Sequence, residues 1–155
     1  MAIRWPAGTV DAAVYSTNGG AWNMNNPVGL QLKIADALQV LPLAIEVDTA
    51  AGPVGIVHAE CPYANWSDLV DAITAQQLTP HARETLMWAR TRIRRADTTP
   101  IKGIRALIVG HTTLAHYRVL GNMHYIDTGA WSAGHERPFT ILELETLEVV
   151  RMDPA

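Results

Sequence analysis

The sequence predicts a mixed α/β domain in which helices cover a layered β-sheet. Two patterns indicate this fold class: apolar residues recur at helical spacing in the first half of the chain, whereas short runs of β-forming residues dominate the second half. The chain has 155 residues, of which 48% are hydrophobic, and this is enough apolar material for a substantial core. At this length we expect one domain spanning residues 1–155.

The first half is expected to begin irregularly and then to form a helix and a hairpin. Gly, Pro, Asn and Ser punctuate residues 1–28, and Asn18-Gly19-Gly20 is a turn signal. Residues 43–47 and 54–57 are rich in β-formers and flank a turn, so they predict a hairpin. Pro42 ends the preceding helix, whose apolar residues share one face. That face comprises Leu30, Ile34, Leu38 and Leu41.

Two further helices and a set of short strands are expected in the rest of the chain. Ser67 is a candidate N-cap for a helix over residues 68–76. Thr79 followed by Pro80 begins the next helix, which is expected to reach Ile93. The strands predicted after these helices, of which the last two form a hairpin, cover residues 106–109, 117–120, 124–126, 139–143 and 147–152.

Composition and charge exclude several classes of function. The net charge is −3 at pH 7 with acids and bases mixed along the chain, so no clustered basic face indicates nucleic-acid binding. The arginines at positions 90–95 are expected to form a solvated helix end. No run approaches the roughly 20 apolar residues of a membrane-spanning helix, and the N-terminus lacks a signal pattern. Since Cys61 is the single cysteine, no internal disulfide can form, and we expect a soluble cytoplasmic protein.

Three strand-like runs each end at a side chain that can bind a metal ion. These side chains are His58, His111 and Asp127. In open α/β sheets, ligands collect beyond the carboxyl ends of the strands, and imidazole and carboxylate groups suit divalent manganese, iron or zinc. From spacing alone, the commoner alternative also stays open: each histidine could be a hydrogen-bonded structural residue.

Four short motifs, taken in their order along the chain, carry a resemblance to a known family. They are Val57-His58-Ala59-Glu60, Met87-Trp88-Ala89-Arg90-Thr91-Arg92, Val109-Gly110-His111-Thr112 and Tyr125-Ile126-Asp127-Thr128-Gly129-Ala130. In this order they resemble the second half of the calcineurin-like metallophosphatases, in the group of bacterial and phage Ser/Thr protein phosphatases. The resemblance also takes in Asn18-Gly19-Gly20 with Trp22 and the strand near residues 139–144, and so covers nearly the whole chain. It implies the C-terminal half of a four-layer α/β sandwich.

The resemblance also implies roles for individual residues. His58 and His111 fall on metal-ligand positions, and the divalent metal implied is manganese, with iron or zinc as alternatives. Arg90 matches an arginine that holds the substrate phosphate, a task that suits a planar, always charged guanidinium. Asp127 lies at the edge of the implied site and is expected to be structural. Glu60 is expected either to orient the His58 imidazole or to take no part in the site.

Three further motifs of the family are not found in this sequence: an Asp-x-His strand end, a Gly-Asp-x-x-Asp-Arg loop and a Gly-Asn-His-Glu loop. In the family they supply the bridging aspartate, most ligands of the first metal, the asparagine ligand, the acid histidine and a second phosphate arginine. The chain is expected to begin just after the Gly-Asn-His-Glu position. Because two-metal hydrolysis needs ions about 3.5–4 Å apart that share a ligand, at most a partial metal site is expected.

Two main functions stay open for such a chain. The first is a fragment or subunit of a phosphoprotein phosphatase that is inactive alone and acts on a phosphoprotein or phosphate ester once a missing half completes it. The second is a non-catalytic protein-binding module, such as a phage-type inhibitor or decoy, that keeps the scaffold. In both cases a protein partner or homo-oligomer is expected, because sheet edges and apolar surface would otherwise be exposed. A small metal-binding domain of unrelated function is a third alternative.

The remaining conspicuous residues are expected to be structural. Cys61 follows His58 at a spacing close to that of metal ligands, but a small buried side chain is the favoured interpretation. The other histidines are expected at the surface or in hydrogen bonds, and the tryptophans in the core or at contact surfaces. These residues are His81, His116, His124, His135, Trp5, Trp22, Trp66, Trp88 and Trp131.

Overall fold

The structure is a computed structural model that describes residues 11–130, 137 and 139–151. Trp5, Trp131 and His135 lie outside the described residues. The chain divides into two compact units, with the boundary after Pro42. No helix in the described ranges is both long enough and apolar enough to cross a bilayer.

The first unit is helical. Its elements are α1 (Ala12–Tyr15), a π-helical turn (Ser16–Gly20), α2 (Ala21–Met24) and α3 (Val28–Gln39). The irregular structure expected for residues 1–28 is therefore wrong for residues 12–24. Asp11 caps α1 by accepting from the backbone nitrogen of Ala13 at 2.7 Å, and the Thr17 hydroxyl donates to the Ala13 carbonyl at 2.7 Å. The turn predicted at Asn18-Gly19-Gly20 is observed as a kink at Gly19, whose φ is +87°.

Helix α3 confirms the predicted helix but does not bury its apolar face. The buried residues of α3 are Gln31 and Ala35. Of the predicted apolar face, Leu30 is 45% exposed, Leu38 51% and Leu41 58%. The apolar periodicity therefore identifies the helix, whereas the described residues provide little cover for that face.

The second unit contains a five-stranded mixed sheet, which confirms the predicted α/β class. Its strands are β1 (Ala44–Val47), β2 (Val54–Val57), β3 (Ala106–Val109), β4 (Arg118–Leu120) and β5 (Met123–Tyr125). The strand order is β1-β2-β3-β5-β4. The edge strands β1 and β4 run antiparallel to their neighbours, while β2, β3 and β5 are mutually parallel. The predicted hairpin over residues 43–57 is confirmed by the pairing of β1 with β2.

Each face of this sheet is covered by a different layer. One face packs against α4 (Trp66–Thr74), α5 (Pro80–Trp88) and α6 (Thr91–Arg95), through the fully buried Leu69 and Leu86 among others. On the other face, Val54, Ala106 and Ile108 pack against three leucines from the hairpin of β6 (Thr140–Leu142) and β7 (Val149–Arg151). These leucines are Leu142, Leu144 and Leu147.

Two helix boundaries differ from the prediction. Helix α4 begins at Trp66, with Asn65 rather than Ser67 at the N-cap position. The single helix expected from Pro80 to Ile93 is broken, because Ala89 adopts an extended conformation with φ −67° and ψ 145°. The break leaves Arg90 between α5 and α6.

Candidate functional site

The candidate site lies at the carboxyl edge of the parallel strands. His58 directly follows β2, His111 comes two residues after β3, and Asp127 comes two residues after β5. Because these three strands run in the same direction, their carboxyl ends lie at one edge of the sheet. The fold therefore brings to one edge the side chains that the sequence singled out.

The two predicted metal ligands are hydrogen-bonded to each other, which fits the alternative that the sequence left open for them. His58 Nε2 lies 3.1 Å from His111 Nδ1, and the ring centroids are 4.8 Å apart. The Gly110 amide donates to the His58 carbonyl at 3.0 Å, which ties the two strand ends together. His111 has a φ of +63°, a left-handed conformation that is uncommon for a residue with a Cβ and that turns its ring toward His58.

Three consecutive residues after β2 hold different parts of the chain around the site. The His58 carbonyl binds Gly110, and the Ala59 amide donates to the Leu86 carbonyl at 2.8 Å, near the end of α5. The Glu60 carboxylate accepts from the Arg92 amide at 2.7 Å and so caps the start of α6. One short loop thus fixes the end of α5 and the start of α6, and the helix break falls between them.

Glu60 does not orient His58. Its side chain is 3% exposed and is directed at the first turn of α6, where Oε1 accepts the Arg92 amide. Burial raises the pKa of the Glu60 carboxyl, and the hydrogen bond from the Arg92 backbone acts in the opposite direction. The expectation that Glu60 orients the His58 imidazole is therefore wrong, because its carboxylate binds the Arg92 amide at the start of α6 instead.

Arg90 lies in the helix break and acts electrostatically on both histidines. Burial is the main cause that lowers the pKa of His58, the Asp127 carboxylate raises it, and the Arg90 guanidinium lowers it further. Burial also lowers the pKa of His111, followed by the charges of Arg90 and His58. Arg90 is half-buried, and its positive charge lowers the pKa of both imidazoles.

Asp127 is held by its own loop. Its Oδ1 accepts from the Gly129 amide at 3.0 Å, and its Oδ2 lies 3.5 Å from the Thr113 hydroxyl, which donates to it. The Asp127 carbonyl accepts from the Leu114 amide at 2.9 Å. These contacts fit the structural role expected for Asp127, while its charge still raises the pKa of both site histidines.

Trp88 is a site residue that the sequence reasoning missed. Its ring meets the His111 ring edge to face, with centroids 5.7 Å apart and an interplanar angle of 84°. The indole is 40% exposed, so it also forms part of the surface at this edge. His111 Nε2 is buried and makes no hydrogen bond of good geometry with the described residues. The Trp88 backbone is nevertheless close enough to act as a hydrogen-bonding group that raises the pKa of His111, an effect smaller than that of burial. The position of Trp88 two residues before Arg90 was the available signal.

The histidine pair as it stands is not arranged to hold a metal ion. His58 Nε2 and His111 Nδ1 share a hydrogen bond, so one of the two nitrogens carries the proton and offers no lone pair to an ion. Across the described residues, no group of three or more His, Cys, Asp and Glu side chains is arranged to hold a metal. The nearby carboxylate of Asp127 is engaged by Gly129 and Thr113. The expectation of at most a partial metal site stays a prediction.

The other candidate residues lie apart from this pair. Cys61 is 5% exposed, its thiol donates to the Tyr63 carbonyl at 3.4 Å, and burial raises its pKa, all of which fit a structural thiol. His124 is buried with Nδ1 2.6 Å from the Tyr117 hydroxyl, while His81 is exposed.

One surface cavity of the described residues, of about 490 Å³, does not coincide with the candidate site. It is lined by residues 60–63, Thr79 and residues of α5 and α6, without His58, His111 or Arg90.

No protein-family model matches the sequence. The metallophosphatase resemblance therefore stays a prediction, carried by the order of four motifs.

Proposed function

We propose that this chain contributes the C-terminal part of a metallophosphatase-type phosphoesterase site and does not hydrolyse phosphate esters on its own. The observation that carries the proposal is the contact of His58 with His111 at the carboxyl edge of parallel strands, with Arg90 in the helix break two residues after Trp88, whose ring contacts His111. These three residues come from three separate motifs, and this arrangement is what an ancestral phosphate and metal site would leave behind.

In this proposal Arg90 binds the phosphate group. A guanidinium offers several N–H donors in a fixed plane and keeps its charge at all physiological pH values. Arg90 is held in the helix break by the loop after β2, so its backbone position is set by tertiary contacts and not by helix propensity. The sheet with helices on one face and a hairpin on the other would correspond to half of the family's layered sandwich.

Hydrolysis by this chain alone is not part of the proposal. Activation of water between two metal ions requires shared ligands, and the described residues bring together two imidazoles without a bridging carboxylate. A second polypeptide segment that carries carboxylates would have to complete the site. The completed assembly would act on a phosphoprotein or another phosphate monoester.

The test measures phosphate binding and turnover separately on the full chain. Titration with inorganic phosphate, followed by ³¹P NMR, is expected to show binding that is lost in Arg90→Gln and kept in Arg83→Gln, a matched exposed arginine on α5. Binding that is equal in the two variants would contradict the role of Arg90. With Mn²⁺ and p-nitrophenyl phosphate, turnover is expected to stay at background. Robust turnover that is lost in His58→Ala would overturn the claim of inactivity.

A second candidate function is a non-catalytic protein-binding module. The observation that favours it is the apolar surface of the first unit, where Trp22 is 65% exposed and Val40 82% exposed, in addition to the apolar face of α3. Light scattering on the full chain should then show a homo-oligomer, or a complex with a partner, that Leu38→Glu disrupts. If the wild-type chain stays monomeric at high concentration and scatters light like the Leu38→Glu variant, the protein-binding function is contradicted.

A further inference from the structure

The arginines at the start of α6 differ in how their charges are paired. The side chain of Arg92 is 15% exposed, lies 3.7 Å from the Asp97 carboxylate and donates to the Thr99 carbonyl. Arg90 is half-buried and Arg94 is exposed, and the side chain of neither makes an ion pair or a hydrogen bond with any residue that the structure describes. Two guanidinium groups of this segment are therefore available to an anionic ligand.

The charge of the two helices around this segment favours an acidic partner. Residues 80–95, which form α5 and α6, contain five arginines and one acidic residue, a net charge of +4 in a chain whose net charge is −3. Nucleic acids are a poor fit, because binding to their backbone typically uses about 6–10 phosphate contacts. Two unpaired arginines suit a short acidic peptide segment instead.

Arg90 and Arg94 are separated by one helical turn. The Arg94 amide donates to the Arg90 carbonyl at 3.2 Å, so the two residues lie about 6 Å apart along the helix axis. In an extended peptide, side chains two positions apart point to the same side and are separated by about 7 Å. A peptide whose phosphorylated residue contacts Arg90 would therefore bring the side chain two positions away to Arg94. Arg95 lies about 140° around the helix from Arg90 and so faces another direction.

We propose that Arg94 selects phosphopeptides that carry an acidic residue two positions from the phosphorylated residue, while Arg90 holds the phosphate. The inference rests on the proposed function, because it takes Arg90 as the phosphate-binding residue and a phosphoprotein as the substrate. It adds the substrate class, which is a phosphorylated site flanked by acidic residues. Arg94 determines specificity in this proposal and takes no part in the reaction itself.

Fluorescence anisotropy with the full chain and labelled peptides tests the proposal. Each peptide has a central phosphoserine in an alanine-rich sequence. The first peptide carries glutamate at both positions two residues from the phosphoserine, and the second carries glutamate at both adjacent positions. Their net charges are equal, but adjacent side chains of an extended peptide point to the opposite side. In metal-free buffer of low ionic strength, the wild type is expected to bind the first peptide about two- to fivefold more tightly, the range typical of one exposed ion pair.

Variants of Arg94 are expected to change this preference in a graded way. Arg94→Gln should abolish it, Arg94→Glu should reverse it, and Arg94→Lys should keep most of it, because the positive charge is retained. Arg83→Gln, which removes an exposed arginine of α5, is the matched control and should show the preference of the wild type. Since positions 83 and 94 are both exposed, these substitutions are expected to leave the fold intact.

Three outcomes would overturn the proposal. They are equal affinity of the wild type for the two peptides, a preference that persists in Arg94→Gln, and tighter binding of a single-stranded DNA oligonucleotide than of the first peptide. The unphosphorylated form of the first peptide separates this inference from the proposed function. If it binds as tightly as the phosphorylated form, the phosphate role of Arg90 is contradicted. If phosphate still strengthens binding but the Arg94 preference is absent, only the present inference fails.

Discussion

Helices α3 and α4 show how differently the two units of this chain use apolar residues. In α4, Trp66 is 3% exposed and Leu69 fully buried, because both face the sheet. In α3, Leu30 is 45% exposed and Leu38 51%, and the buried positions are taken by Gln31 and Ala35. The comparison teaches that periodicity determines where a helix forms and which face is apolar, while burial depends on whether another element covers that face.

The largest effect that sharpens this contrast is expected from truncating one leucine in each helix. Leu69→Ala removes a fully buried side chain and should lower the free energy of unfolding by about 2–5 kcal/mol. Leu38→Ala removes a half-exposed side chain and should change it by less than about 0.5 kcal/mol. Urea unfolding of both variants measures the difference, and equal losses would mean that the α3 face is covered in solution.

Two glycines provide the next comparison. A Cβ at Gly55 would lie 2.7 Å from the buried Trp66 ring, whereas a Cβ at Gly29 in α3 would meet nothing within 4 Å. Gly55→Ala should therefore destabilise the protein by about 1–3 kcal/mol through overpacking. Gly29→Ala should stabilise it by about 0.5–1 kcal/mol, because alanine is the better helix former. Thermal denaturation of the pair checks the opposite signs.

A pH dependence is expected from the second unit, since residues 11–42 contain no histidine. Burial lowers the pKa of His124 below its ordinary value of 6.5, and the charge of Arg105 lowers it further. Protonation therefore favours the unfolded chain, so stability should be lost as pH falls below 6.5 until the lowered folded-state pKa is passed.

Urea midpoints between about pH 8 and about pH 5 follow this loss. His124→Gln should flatten the profile in part, because the pKa values of His58 and His111 are lowered as well. A steeper profile in that variant would contradict the assignment.

The smallest expected effects concern two helix ends. Ala96 ends α6 in a left-handed conformation with φ 50°, whereas Ala75 ends α4 with φ −75°. Ala96→Gly should stabilise the fold by up to about 1 kcal/mol, because glycine adopts the left-handed region without strain. Ala75→Gly should destabilise it by about 0.5–1 kcal/mol. The same sign for both substitutions, measured by urea unfolding, would refute the conformational explanation.

Much of the strand framework could be predicted from the sequence, because the relevant signals are local. The runs at β2 and β3 are short, apolar and bounded by turn residues, and the strand ends that carry His58 and His111 follow directly from them. The parallel direction of those strands brings His58 and His111 to the same edge, whereas their contact also depends on the left-handed conformation of His111, which the sequence did not indicate.

The rest could not be predicted because it depends on contacts between distant residues. The break before Arg90 is not encoded by proline or glycine: residues 86–93 read as a continuous helix, and the bonds from Ala59 and Glu60 accompany the break. The edge-on contact of Trp88 with His111 likewise joins a helix end to a strand end. Local sequence patterns do not indicate such contacts between residues that are distant along the chain.

The loop after β2 has a consequence for the order of folding. His58, Ala59 and Glu60 bond to Gly110, Leu86 and Arg92, partners that are 52, 27 and 32 positions along the chain. Closing such long loops is slow compared with forming single helices. The histidine pair is therefore expected to assemble late in refolding, after both helices and β3 have reached the sheet. Contact between the two imidazoles would then report that the native arrangement of the sheet edge has formed.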